Sequence, residues 1–189
     1  GGMSRVATLI EQIRNEESNT ILLDAGDIFQ GTPYFNLFGG EVELKLMSQM
    51  KYDAGTMGNH DFDNGIDGLV RQMPFASFPF LNCNYGFEGT KLDGKVLPYK
   101  VFKKGSTRIG VLGVGIELTG LVSKKLFGNV QYKDPIQHAN DVADHLKNKL
   151  KCDLVICLSH LGFEYKTDKV SDITFAKQSA NIDLILGGH

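Results

Sequence analysis

Met57-Gly58-Asn59-His60-Asp61-Phe62-Asp63 sets an amide, an imidazole and two carboxylates within five residues, 59–63. The stretch follows a short apolar run and precedes a Gly-containing turn, which places it in a loop at the end of a strand. Three other apolar runs end in the same way. Ile21-Leu22-Leu23-Asp24-Ala25-Gly26 leads to Asp27, residues 154–158 lead to Ser159-His160, and Leu184-Ile185-Leu186-Gly187-Gly188 leads to His189. Between these runs lie segments with helical periodicity. Parallel strands joined by helices point their C-terminal ends the same way, and ligand and catalytic groups gather at those ends. Asp27, Asn59, His60, His160 and His189 are therefore expected to be neighbours despite their separation in sequence.

The chain in order supports an α/β organisation. Residues 2–15 place Val6, Leu9, Ile10 and Ile13 at helical spacing, an amphipathic helix. Residues 20–23 form a continuous apolar run, expected to be a strand buried on both faces. Residues 29–40, with three Gly and three Phe, read as a loop with one helical turn near Pro33. A helix over 41–50 is expected to bury Val42, Leu46, Met47 and Met50, followed by a strand over 52–57. Residues 65–73 read as a helix stopped by Pro74, and 80–83 as a short strand. Residues 97–103 and 107–114 are β-like and joined by Lys104-Gly105-Ser106, a hairpin signature that makes the sheet mixed. Asp134-Pro135 opens a helix as N-cap and first-position proline, with Ile136, Ala139, Val142, Ala143, Leu146 and Leu150 on its buried face. Residues 153–158, 171–179 and 183–186 read as strand, helix and strand. No linker or repeat interrupts the chain, so 1–189 is read as one domain.

Composition bounds the function. The 189 residues carry 42% hydrophobic and 22% charged side chains, ordinary for a globular protein. Lys+Arg is 20 against Asp+Glu 22, a formal net charge of -2, which is no nucleic-acid footprint. No apolar run reaches the roughly 18–20 residues of a membrane span. The three cysteines lack Cys-x-x-Cys spacing, and Cys157 inside an apolar run reads as a buried free thiol.

Asp, Asn and two His form a mixed oxygen and nitrogen ligand set, which suits Mn, Fe, Zn, Co or Ni better than Ca. A carboxylate such as Asp27 can bridge two ions about 3.5–4 Å apart, which polarise a phosphoryl group and activate water. His60 is placed to act on the leaving oxygen, and either Asp61 or Asp63 would raise its pKa and fix its tautomer. Each residue taken alone has a plainer reading. Asp27 after a strand reads as a turn or cap, Gly-Asn-His as a polar loop, and His160 as a satisfied strand-end histidine. His138 and His145 lie away from the apolar face of their helix and read as solvated surface, and Asp24 as structural. The weight lies in four strand ends, in one order, all carrying metal-competent groups.

That ordered set, Asp24-Ala25-Gly26-Asp27, Gly58-Asn59-His60-Asp61, Ser159-His160 and Gly187-Gly188-His189, resembles the calcineurin-like metallophosphoesterases. Within them it is most similar to the N-terminal catalytic domain of the 5'-nucleotidase and UDP-sugar hydrolase family. The opening Gly1, Gly2, Arg5, Ala7 and Thr8, and Gln30-Gly31-Thr32-Pro33, fit the same subfamily. The resemblance implies a four-layer α/β/β/α sandwich of two mixed sheets. It implies Asp27 as bridging metal ligand, Asn59, His160 and His189 as further metal ligands, His60 as catalytic histidine and Asp63 as its carboxylate partner. It also implies two divalent metal ions and hydrolysis of phosphate esters by metal-bound hydroxide, most readily of nucleoside 5'-monophosphates. UDP-sugars, 2',3'-cyclic nucleotides and a non-catalytic, ligand-binding role are the alternatives. A C-terminal substrate-recognition domain and a periplasmic or cell-surface location go with the family.

Against the family pattern the domain is expected to be incomplete at both ends. The first strand with its Asp-x-His is missing, and the final Gly-His-x-His stops at His189. By ligand count one metal site keeps four protein ligands and the other only Asp27, so the chain as given is expected to be weakly active.

Overall fold

Apolar runs alternating with amphipathic helices build two sheets, seen in a computed structural model that describes residues 2–189. Gly1, the first residue of the opening motif, lies outside them. The N-terminal half holds α1 (Met3–Glu16), β1 (Leu23–Asp24), α2 (Pro33–Phe38), α3 (Glu41–Gln49), β2 (Ala54–Thr56), α4 (Gly65–Gln72) and β3 (Phe80–Leu81). Its three strands pair in the order β1-β2-β3, parallel throughout, with Leu23 opposite Ala54 and Thr56 opposite Leu81. The chain continues through β4 (Tyr85–Gly86), β5 (Tyr99–Lys104), β6 (Thr107–Gly115), α5 (Lys124–Phe127), β7 (Gln131–Tyr132), α6 (Pro135–Asp144), β8 (Leu154–His160), α7 (Asp172–Gln178) and β9 (Leu184–Gly187). The second sheet has the order β5-β6-β8-β9 and is mixed: β5 is antiparallel to β6, and β6, β8 and β9 are parallel. β4 and β7 form a small antiparallel pair that short-range patterns did not reveal.

The period-2 alternation along β6 and β8 defines the layers. Ile109 and Val111, with Ile156 and Leu158, pack against Ala54 and Leu81 of the first sheet. Their neighbours Leu112, Val114, Val155 and Cys157 face the other way, onto Ala139 and Ala143 of α6 and Phe175 of α7. On the far side of the first sheet, Met57 and Phe80 meet Leu44 and Met47 of α3 and Leu69 of α4. The result is the expected helix, sheet, sheet, helix order.

Several local expectations shift. α1 buries no residue: Leu9 is 56% exposed, and Ala7 and Ile10 make its contacts with the core instead. β1 is half-buried rather than buried on both faces, because only β2 pairs with it. In α3 the fully buried residue is Leu44; Met47 and Met50 are buried as expected, while Val42 and Leu46 are only half-buried. Asp134 caps α6 as read, its Oδ1 accepting from Ile136 N at 2.8 Å and Gln137 N at 3.1 Å. The helix then widens into a π turn over His145–Lys149, with Leu150 N donating to His145 O at 3.0 Å. His145 is exposed but not simply solvated, since Tyr99 Oη lies 3.2 Å from its Nε2. His138 is half-buried, its Nδ1 3.0 Å from Asp134 O. Cys83, Cys152 and Cys157 are unpaired, and Cys157 is fully buried as expected.

Where β3 leaves its sheet it crosses directly over β6, with Cys83 N donating to Gly113 O at 2.8 Å. A Cβ on Gly113 would collide with Leu81 O and stand 2.5 Å from Thr56 Oγ1, both fixed atoms of the facing sheet. Gly113→Ala is therefore expected to cost at least about 1–3 kcal/mol. A lowered urea midpoint with unchanged slope would show it, and an unchanged midpoint would refute the close approach of the sheets.

Candidate functional site

The two loops of the first sheet are tied together by one carboxylate. Asp61 is 1% exposed. Its Oδ2 accepts from Gly58 N at 2.8 Å and Asp27 N at 3.2 Å, and its Oδ1 from Phe29 N at 3.3 Å. Asp61 thus holds the turn after β1 against the turn after β2. Burial pushes its pKa up to about 7, and the nearby Asp27 and Asp24 charges add to that, while the Gly58 and Phe29 N–H groups work against it. Asp24 has the structural role expected of it, accepting from Gly26 N at 2.8 Å.

Asp27 sits at the point where these loops meet β8. Its φ of 60° is left-handed, a region that Asp tolerates better than most residues. One oxygen, Oδ1, accepts from His60 N at 2.9 Å; the other, Oδ2, lies 3.1 Å from Nε2 of His160, the last residue of β8. The opposite ring nitrogen of His160, Nδ1, is 2.7 Å from Ala25 O, to which it donates. That bond places a proton on Nδ1 and leaves Nε2 as the nitrogen that could coordinate a metal. His189 follows β9, its ring 5.2 Å from that of His160. One donor atom from each of Asp27, His160 and His189 lies within 4.8 Å of the others. Gly58 makes this convergence possible: a Cβ there would run onto Asp27 Oδ1 and stand 2.7 Å from His160 Cε1.

Asn59 adjoins this cluster, between Gly58 and His60. It is buried, and its Oδ1 has no hydrogen-bond partner among the described residues. A buried, orphaned acceptor is costly unless something positive meets it. The donor set of one carboxylate, one amide oxygen and two imidazoles fits a divalent transition metal.

His60 opens a short 3₁₀ turn, His60–Phe62. Residues i and i+3 eclipse on such a turn, so Asp63, not Asp61, reaches the ring: Nδ1 to Asp63 Oδ2 is 2.8 Å. That hydrogen bond raises the His60 pKa, helped by the Asp27 charge and opposed by mild desolvation. The His60 side chain is 50% exposed, against 1% for His160. Burial works to raise the pKa of Asp27, but the bond from His160 and the two histidine charges outweigh it and hold the carboxyl below its ordinary range. Burial works to lower the pKa of His160, and its bonds to Asp27 and Ala25 outweigh that and raise it. Desolvation and the neighbouring His160 lower the pKa of His189.

The structure brings Asp27, His160 and His189 together as expected, with His60 N on Asp27, and adds two supports that the sequence does not reveal. Local spacing offers Asp61 only as a partner for His60. Ser159, fully buried before His160, donates to Asp172 Oδ1 at 2.5 Å and so pins the end of β8 to α7; nothing in local spacing linked those two residues.

Two packed sheets with oxygen and nitrogen donors collected at their strand ends define a metal-site scaffold of the phosphoesterase kind. The calcineurin-like phosphoesterase family model matches residues 1–189, and the chain belongs to that family. It is 36% identical to a human (Homo sapiens) 5'-nucleotidase, over 100% of this chain and 32% of that protein. Among solved structures it is similar to a 5'-nucleotidase precursor from Thermus thermophilus, with TM-score 0.90 and 31% identity over 100% of this chain and 36% of that one. It is also similar to a Haemophilus influenzae NAD nucleotidase, with TM-score 0.86 and 28% identity over 100% of this chain and 36% of that one. The chain thus spans about a third of the length of these relatives. No helix among the described residues is long and apolar enough to cross a membrane.

The geometry makes two predictions. Asp61→Ala leaves three backbone N–H groups without their acceptor, at about 1–3 kcal/mol for each one that stays dry. Thermal denaturation should show a lowered midpoint, and calorimetry weakened binding of Mn²⁺. The second prediction concerns pH. In metal-free protein the depressed Asp27 contributes stability above its ordinary value of 3.8, and loses it as pH falls through the folded value. The raised His160 contributes below its ordinary 6.5, and loses it as pH rises through the folded value. Their pair therefore stabilises most between about pH 3.8 and 6.5. Metal needs His160 Nε2 unprotonated, so Mn²⁺ affinity should begin to fall as pH drops through the raised His160 value, above 6.5, and keep falling below it. Calorimetry in buffers of different ionisation enthalpy should detect proton release on binding.

Proposed function

We propose that this chain is the metal-holding catalytic part of a phosphohydrolase that cleaves phosphate esters, with nucleoside 5'-monophosphates as its substrate class. The observation that carries the reading is the His60–Asp63 pair standing beside the Asp27, His160 and His189 donors. A half-exposed imidazole whose Nδ1 is taken up by a carboxylate has one nitrogen left for substrate. With both nitrogens protonated, Nε2–H donates to a phosphoryl or leaving-group oxygen. Asp63 favours that charged form and fixes the ring.

Two divalent ions are the cofactors of this reading. Asn59, Asp27, His160 and His189 would hold one, with Asp27 shared by the second. When bound, such ions supply Lewis-acid charge for the phosphoryl oxygens and an activated water. The remaining work belongs to the chain's own groups. Asp61 keeps Asp27 and Asn59 in one place, Ala25 O sets the His160 tautomer, and His60 meets the charge that develops on oxygen. The names of the relatives, nucleotidases in each case, support nucleotides as the substrate class. The chain's share of their length supports a further substrate-recognition domain in the whole protein. The word precursor in the name of the Thermus protein supports export, to the periplasm or cell surface.

The test is hydrolysis by the full-length protein of AMP, NAD, UDP-glucose and 2',3'-cyclic AMP, read as phosphate from AMP and as the product nucleotides from the other three, with Mn²⁺ or Co²⁺ and after chelation. Release from AMP should require metal. His60→Ala should lower kcat by about 10²–10⁴-fold while metal content, read by elemental analysis, stays unchanged. No metal-dependent hydrolysis of any of the four would overturn the reading, and turnover untouched by His60→Ala would remove His60 from the chemistry.

A further inference from the structure

The oxygen of Asp63 that accepts from His60 has a second donor. Gln30 Nε2 lies 2.6 Å from Asp63 Oδ2, the same atom that stands 2.8 Å from His60 Nδ1. Gln30 comes from a different element, the loop that begins at Asp27, and it bridges 33 residues of sequence to reach Asp63. The backbone is bent to deliver it. Gln30 has φ 80° and is followed by Gly31 at φ 82°. Positive φ is uncommon for a residue bearing a long side chain, and such outliers gather where a group must be aimed. Gln30 is exposed. Water could satisfy both the amide and the carboxylate there, so the bond adds little net stability. Its effect is on orientation.

We propose that Gln30 is a positioning residue for the reaction: its amide fixes Asp63, and through it the His60 ring, relative to the loop that carries Asp27. The inference rests on the reading of His60–Asp63 as the pair that acts on substrate. Chemistry assigns the amide: an ionised carboxylate accepts and does not donate, so Gln30 must present its NH₂ group. With two donors on Oδ2, the Asp63 carboxylate cannot rotate freely about its own side chain. Asp61 ties the same two loops from inside through backbone N–H groups. Gln30 ties them from outside, side chain to side chain, at the group that must meet the substrate. Small errors in the placement of a reacting group can cost up to about 10²-fold in rate.

The first experiment needs no activity. In metal-free protein labelled with ¹⁵N-histidine, Gln30→Ala should shift or broaden the His60 Nδ1–H resonance and leave that of His160, bonded to Ala25 O, in place. An unmoved His60 signal would overturn the proposal. The second uses the full-length, metal-loaded protein and whichever of the four phosphate substrates it cleaves. Gln30→Ala and Gln30→Glu should each lower kcat about tenfold with KM, metal content and melting temperature unchanged. The Glu variant keeps the length but lacks the donor. In an Asp63→Ala background, Gln30→Ala should have no further effect. An equal loss in that background, or no loss in the parent, would overturn the proposal. Absence of any turnover would instead sink the phosphohydrolase reading, with the resonance of His60 still deciding the role of Gln30.

Discussion

The two loops that carry Asp27 and Asn59 depend on the buried Asp61 carboxylate and the three backbone N–H groups from which it accepts. Two loops that leave adjacent parallel strands have no reason of their own to stay together, since their backbone donors would be satisfied by water if the loops parted. Asp61 supplies a shared acceptor inside the protein, and a carboxylate with its solvent removed is costly unless those donors remain in place. Desolvation and donation are therefore coupled: the group that is expensive to bury is also the one that makes opening the loops expensive. Asp27 and Asn59 inherit their positions from that arrangement.

The rest of the site is reached by close approach. Gly58 lets Asp27 and His160 come within contact, and Gly113 lets the two sheets pack where β3 turns away. β8 then brings His160 in as a strand residue, paired with Gly115 of β6, while Ser159 is fixed to Asp172. The donors thus come from rigid elements of the second sheet and braced loops of the first, which is the arrangement that keeps a site preorganised.

Much of this was legible in the sequence because it rests on strand-end chemistry and on period. The runs ending at Asp27, Asn59, His160 and His189 were recognisable, and so were the hairpin and the Asp134 cap. Burial was less so. Leu9 fits a helical stripe but stays exposed, and Leu44 is buried in place of Val42, because the phase of a helix is set by what it packs on and not by its own pattern. Residue spacing alone also left the choice between Asp61 and Asp63 open, and only the family resemblance pointed to Asp63. A regular loop would allow either to face His60. Only the 3₁₀ turn, with its three-residue repeat, aligns Asp63 with the ring and turns Asp61 inward. The Ser159–Asp172 and Gln30–Asp63 contacts join residues whose separation carries no periodic signal.

The two central histidines divide the labour by exposure. His160 is buried, its tautomer fixed by a backbone carbonyl, with its free nitrogen facing a carboxylate. Such a nitrogen suits a permanent ligand, because nothing mobile competes for it. His60 is half-exposed and held by side chains alone. In the proposed reaction a group that exchanges a proton with substrate and then with water needs that access, and loses precision by it. Asp63 restores the precision on one side of the ring. Asp63 is itself only partly buried, so its orientation has to be enforced by neighbours, and the His60 Nδ1–H and the Gln30 amide are the donors found on it. An accessible histidine on a braced loop thus calls for a chain of fixed partners that leads back to the same loop that holds Asp27.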